Sequence, residues 1–104
     1  MESPSPAYRG RFAPSPTGRL HFGSLVAAVG SWLLARAARG CWIVRVDDLD
    51  PAREVAGADA AILSTLAAFG MVSDEPVIHQ SRRTAIYAGA LARLEACDAV
   101  YPCW

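Results

Sequence analysis

The sequence predicts an α/β fold: the first half of a doubly wound parallel sheet, truncated. Three observations predict it. Short β-rich runs alternate with helix-periodic ones, the pattern of parallel strands joined by right-handed crossover helices. The run Cys41-Trp42-Ile43-Val44-Arg45-Val46 is short and almost wholly apolar, as expected of a buried parallel strand. The segments with the densest polar chemistry, 13–24 and 47–50, both follow predicted strands, and in such sheets ligands gather beyond the strands' carboxyl ends.

Each element has its own reason. Residues 1–7, with Ser3, Pro4, Ser5 and Pro6, read as a flexible leader. Residues 8–12 are a first strand, and 13–20 a turn loop, because two prolines and a glycine exclude regular structure. A helix is expected over 22–38, with Leu25, Val29, Trp32 and Leu33 at helical spacing and Gly40 as its stop. The small residues Ala27, Ala28, Gly30 and Ser31 would let it approach a sheet closely. After the strand at 41–46, a second helix is expected over 57–69, with Ile62, Leu63, Leu66 and Phe69 on one face and Gly70 closing it. Residues 76–80 read as a third strand. Residues 81–96 read as a third helix, capped by Ser81 or Thr84, with Ile86, Leu91 and Leu94 inward. Val100-Tyr101 would begin another strand.

The totals bound the function. The chain has 104 residues, 53% hydrophobic and 19% charged, which supports a packed core and excludes disorder. Its formal net charge is zero, so no global basic field draws it to nucleic acid. All ten cationic side chains are arginine; a catalytic lysine would have to lie outside these residues. Three cysteines at irregular spacing, Cys41, Cys97 and Cys103, argue against a disulfide framework and for a reducing, cytoplasmic compartment. The apolar run at 25–35 is too short to span a membrane. Arg36 and Arg39 stand where a signal cleavage region should be uncharged. The stop at Trp104, with no cap, closing strand or polar tail before it, predicts an interrupted chain.

The richest segment is Arg11-Phe12-Ala13-Pro14-Ser15-Pro16-Thr17-Gly18-Arg19-Leu20-His21-Phe22-Gly23-Ser24-Leu25. Pro14 and Pro16 fix backbone angles before any ligand arrives. Gly18 permits a left-handed turn, and Gly23 leaves room for a flat base or a phosphate against the backbone. Amides at the helix start attract anions, and His21 can donate to a phosphoryl oxygen as charge develops there. Together they describe a phosphate-cradling strand–turn–helix.

Arg11 to Gly18 followed by Leu20-His21-Phe22-Gly23 resembles the signature of class I glutamyl-tRNA synthetases, with His21-Phe22-Gly23-Ser24 in the place of their HIGH motif. Residues 42–54 resemble a second block of that family and His79-Gln80-Ser81-Arg82 a third, so the likeness covers 8–104. It implies a Rossmann-type catalytic domain, ending here at the start of a zinc-binding insertion. His-Phe-Gly-Ser-Leu, Asp-Leu-Asp-Pro-Ala-Arg-Glu and the closing Tyr-Pro-Cys resemble one shortened branch. That branch lacks an anticodon-binding domain and attaches glutamate to the queuosine base of tRNA(Asp).

The resemblance implies ATP with Mg2+ as the activating reagent, glutamate and queuosine-bearing tRNA(Asp) as partners, no membrane, and a monomer when complete. Arg11 would hold the glutamate side-chain carboxylate, a task suited to its bidentate fork. Phe12, Ala13, Pro14 and Ser15 would line the same pocket. Pro14, Ser15, Pro16, Thr17, Gly18, Arg19, Leu20, His21, Phe22, Gly23 and Ser24 would wrap ATP, with His21 and Ser24 catalytic: His21 at the α-phosphate, and Ser24 in the place of the motif's second histidine, where one phosphate donor is weaker or supplied elsewhere. Asp47 would hold the substrate ammonium where the family usually has glutamate, about 1.3 Å shorter in reach. Asp48 and Asp50 read as a solvated cap, with Asp50 as N-cap before Pro51. Cys103 would be one ligand of a zinc site completed downstream, since structural zinc takes four. Arg82, Arg83 and Arg93 read either as a solvated helix face or as a tRNA-facing strip. The implied activity is ATP-dependent, tRNA-independent formation of glutamyl-adenylate, with these 104 residues inactive alone because a KMSKS-type lysine loop lies elsewhere. The alternatives are part of an ordinary glutamyl-tRNA synthetase, a non-catalytic nucleotide- or RNA-binding module derived from one, and a small nucleotidyltransferase.

Overall fold

The computed structural model describes residues 6–103; most of the expected leader (1–5) and Trp104 lie outside them. In chain order come β1 (Arg9–Phe12), α1 (Phe22–Ala37), β2 (Cys41–Val46), α2 (Ala58–Ala68), β3 (Ile78–His79), a 3-10 turn (Gln80–Arg82) and α3 (Thr84–Ala96). The strands form one parallel sheet in the order β1-β2-β3. Arg9 pairs with Cys41 and Phe12 with Val44 on one side of β2, and Arg45 with Ile78 on the other. No helix of the described residues is long and apolar enough to cross a membrane.

Alternation along the strands divides the sheet into two faces. Phe12, Trp42, Val44 and Val46 point to one face and are buried; Arg9, Arg11, Cys41, Ile43 and Arg45 point to the other. The buried set packs under α1 and α2 through Ala28, Ala35, Ile62 and Leu66, with Met71 closing one end. Trp42 anchors this core. It stacks on Phe12 with ring centroids 6.4 Å apart. Its indole N–H, which would be costly to bury unpaired, donates to the Ser31 hydroxyl at 3.0 Å.

β3 is shorter than the expected 76–80, and the reason lies just before it. Ser73 and Asp74 complete β2's bonding in its place. The Ser73 hydroxyl accepts from the Val44 amide at 3.1 Å, and the Asp74 carboxylate from the Trp42 amide at 2.7 Å. The Asp74 amide donates to the Trp42 carbonyl at 2.8 Å. Arg36 from α1 grips the same carboxylate with two bonds of 2.8 Å. Those donors hold the Asp74 carboxyl at a pKa of about 2.

Several expectations need correction. Leu33 on α1 is more than half exposed, because Ala28, Ala35 and Ser31 bring α1 against the sheet on a narrower stripe, and Phe69, just past α2, is more than half exposed beside the buried Ala58, Ile62 and Leu66. α3 begins at Thr84 behind the 3-10 turn, and Arg83, making no side-chain cap bond, precedes it in place of Ser81 or Thr84. Ile86, Leu91 and Leu94 do not point inward: α3 buries no residue. The radius of gyration, 16.7 Å, exceeds the roughly 13 Å of a compact 100-residue domain, which fits a helix standing off the core. Val100-Tyr101 forms no strand among the described residues.

Candidate active site

The loop after β1 is built by its prolines and stitched to the chain beyond β2. Pro14 and Pro16 are buried, and neither can donate from its nitrogen. Their carbonyls instead accept the amides of Asp47 at 2.9 Å and Val55 at 3.0 Å. These two bonds join the 13–24 segment to the 47–55 segment at one edge of the sheet. Gly18 has φ +153, a region that L side chains avoid. The chain bends there, over residues 17–19, at a φ that glycine tolerates.

His21 is the N-cap of α1. Its Nδ1 accepts from the Ser24 amide at 3.2 Å and its Nε2 lies 2.8 Å from the Ser24 hydroxyl. With Nδ1 an acceptor, the network assigns the neutral ring's proton to Nε2, donated to Ser24 Oγ. The Ser24 hydroxyl hydrogen then remains for another acceptor. A Cβ on Gly23 would lie 3.1–3.2 Å from the His21 ring, so glycine here makes room for the histidine. The first turn of α1 carries no acidic residue, leaving its amide end electropositive.

A cavity of about 340 Å³ opens on this loop. Its walls include Phe12, Ala13, Pro14, Ser15, Thr17, Gly18, Arg19, Leu20, His21 and Ser24, with Ala27 and Ile62 behind. Ten of the expected site residues therefore converge. Pro16, Phe22, Gly23, Arg11 and Asp47 do not line it. Pro16 and Gly23 act through the backbone. Phe22 is 82% exposed on an apolar patch with Leu25 and Val26. A second cavity of about 360 Å³, on the far side of Pro16, is faced by Asp48, Glu54 and Asp59. Three carboxylates repel a polyphosphate, so the nucleotide reading belongs to the His21 side.

Asp47 lines a smaller cavity of about 110 Å³ together with Ser15, Pro16 and Thr17. Its carboxylate is held by Arg45, Nε to Oδ1 at 2.7 Å and the guanidinium's second nitrogen to Oδ2 at 3.2 Å. That fork raises the Arg45 pKa, the hydrogen bond outweighing burial. Asp48 is no solvated cap. It accepts the Ser81 amide at 2.8 Å and hydroxyl at 2.6 Å, tying the end of β2 to the turn before α3. Burial pushes the Asp48 carboxyl up, but the two Ser81 bonds and nearby His79 outweigh it and the pKa falls. Asp50 caps no helix: its carbonyl takes the Arg53 amide in a turn, and α2 starts from Gly57.

Arg11 stands on the sheet face away from the core, in register with Ile43 and on the same face as Arg45. Arg9, Arg36 and Arg45 each pair with a carboxylate. Arg11 has no such partner among the described residues, which leaves its fork open. Arg83 lies over the Tyr87 ring at 5.8 Å, and Arg82 and Arg93 are exposed. Cys103 is an exposed free thiol, and among the described residues no three metal-ligating side chains converge. One cysteine does not make the four-ligand zinc site implied by the resemblance.

The Arg45 fork, the Asp48–Ser81 tie and the Ser73–Asp74 clasp were not anticipated from sequence. Only the first had a signal: Arg and Asp two apart at a strand end share a face.

A profile of the tRNA synthetases class I (E and Q), catalytic domain, matches residues 7–103. A glutamyl-Q tRNA(Asp) synthetase of Burkholderia cenocepacia is 64% identical over 99 residues, covering 95% of this chain and 33% of that protein. One from Xanthomonas campestris pv. campestris is 62% identical over 96 residues, covering 92% of this chain and 32% of that protein. The chain thus spans about a third of the length of the curated relatives it matches. Among solved structures, a glutamate tRNA ligase from Elizabethkingia meningosepticum, in complex with its amino acid, superposes with a TM-score of 0.84 at 35% identity. That match covers 88% of this chain and 20% of the ligase. The parallel sheet, the loop at its carboxyl edge and the profile match across 7–103 agree, and the chain belongs to the class I (E and Q) tRNA synthetases, within their catalytic domain.

Proposed function

We propose that these residues form the substrate-activating half-site of an enzyme that joins glutamate to ATP and passes the glutamyl group to the queuosine base of tRNA(Asp). The observation that carries the reading is the pair of backbone bonds from the Asp47 amide to the Pro14 carbonyl and from the Val55 amide to the Pro16 carbonyl. They bring the His21 loop and the acidic strand end to one edge of the sheet. The names of the relatives that are 62–64% identical support the choice of acceptor.

The α-carboxylate of glutamate is already ionised at neutral pH, so no general base is needed. Its oxygen attacks the α-phosphorus of ATP, which is bound with Mg2+. A new P–O bond forms as the bond to the β-phosphate oxygen breaks, and pyrophosphate leaves with that electron pair. Arg11 holds the distant carboxylate through its open fork. Asp47 accepts the ammonium. His21, Ser24 and the α1 amides face the α-phosphate and stabilise the charge that builds there. Catalysis is mostly positioning and electrostatics. Attack by the acceptor then breaks the acyl–phosphate bond and releases AMP. The chain has no lysine, so the lysine of a KMSKS-type loop lies outside these residues, and the 104-residue chain alone is expected to show no exchange.

Glutamate-dependent ATP–pyrophosphate exchange by the full-length protein, with no tRNA present, tests the reading. Exchange is expected; its absence counts against it. The likeness to a glutamate tRNA ligase favours a second reading, an ordinary glutamyl-tRNA synthetase. That reading is distinguished by exchange that requires tRNA.

A further inference from the structure

Asp47 is fixed at two points. Its amide donates to the Pro14 carbonyl, and its carboxylate is forked by Arg45, which itself sits in the middle strand opposite Ile78. Both side chains are about one-quarter exposed, so the pair is partly withdrawn from solvent. Asp47 lines the small cavity beside Ser15; Arg45 does not. The fork occupies one lone pair on each carboxylate oxygen, leaving about two of the roughly four acceptor sites for another donor. Asp47 makes no other side-chain hydrogen bond among the described residues, so nothing else orients its carboxylate.

We propose that Arg45 is a positioning residue for the amino-group subsite. Its planar fork holds the Asp47 carboxylate so that the remaining acceptor sites meet the substrate ammonium. This rests on the reading of Asp47 as the ammonium ligand. A guanidinium performs the task because its fork is rigid and presents two parallel donors; a lysine ammonium is a single point charge on a flexible stem.

The test uses the full-length protein and glutamate-dependent ATP–pyrophosphate exchange, with Arg45→Met, Arg45→Lys and Asp47→Asn. Glutarate, a five-carbon dicarboxylate without the amino group, serves as competitive inhibitor. Arg45→Met is expected to raise the KM for glutamate about tenfold or more, the scale of one charge-assisted hydrogen bond. The KM for ATP and the Ki of glutarate stay within about twofold, and Arg45→Lys recovers only part of the loss. An unchanged or lowered glutamate KM in Arg45→Met, with Asp47→Asn still raising it, overturns the positioning role alone. A parallel rise in the glutarate Ki also overturns it, because the effect is then structural. An unchanged glutamate KM in Asp47→Asn overturns the ammonium reading and the proposal with it. Wild-type protein that shows no exchange either with or without tRNA overturns the glutamate-activating function itself.

Discussion

The two faces of the sheet are built from the same three strands and do opposite things. The covered face presents Phe12, Trp42, Val44 and Val46 to α1 and α2 and buries all four. The other presents Arg9, Arg11, Ile43 and Arg45, and α3 buries nothing against it. The covered face sets where the strand ends lie. The residues with chemistry sit at those ends or on the other face, where side chains remain free to meet a ligand. Burial and polar exposure thus fall on alternate residues of the same strand.

Trp42→Ala breaks the covered face and has the largest expected cost. It removes the largest fully buried side chain and the indole bond to the Ser31 hydroxyl, which keeps its own bond to the Ala28 carbonyl, at a cost of about 3–5 kcal/mol in denaturant unfolding. Next comes His21→Ala in the full-length protein, expected to slow exchange about 10²- to 10³-fold while costing no more stability than the roughly 1 kcal/mol of a lost N-cap bond. A large stability loss there would mean that the loop, too, is core. Asp74→Asn sharpens the comparison at the sheet's edge. It lowers stability at neutral pH by weakening the Arg36 fork and the bond from the Trp42 amide. The sign with pH is fixed by the folded pKa of about 2, below the ordinary carboxyl value near 3.9. The contribution is full above the unfolded value and fades as pH falls towards 2, so an acid titration should show the wild-type and variant midpoints converging. Leu91→Ala on α3 should change the stability of the 104-residue chain by less than about 0.5 kcal/mol. A cost near that of Trp42→Ala would show that α3 is packed after all.

The covered face was legible because periodicity reports it. The short, almost wholly apolar run from Cys41 to Val46 matched β2 to the residue, and the helical spacing of Ile62 and Leu66 marked the buried stripe of α2. Leu33, Phe69, Ile86, Leu91 and Leu94 misled, because apolar spacing marks a helix face without saying whether anything covers it. The site was legible as a motif and not as geometry. The run from Arg11 to Ser24 gave the loop residues, and the cavity collects most of them. The cross-chain bonds were invisible: Asp48 reaching Ser81 and Asp74 reaching Trp42 span 33 and 32 residues, and short-range patterns carry no trace of them.

The central claim is that the open face works on substrate while sharing its strands with the core. Comparing Arg11→Met with Arg93→Gln in glutamate-dependent ATP–pyrophosphate exchange by the full-length protein, without tRNA, tests it most directly. Both substitutions remove one exposed arginine charge. The account predicts that Arg11→Met raises the KM for glutamate by about tenfold or more, losing a charge-assisted fork, while Arg93→Gln matches wild type. Equal effects of the two, or a normal glutamate KM in Arg11→Met, would contradict it.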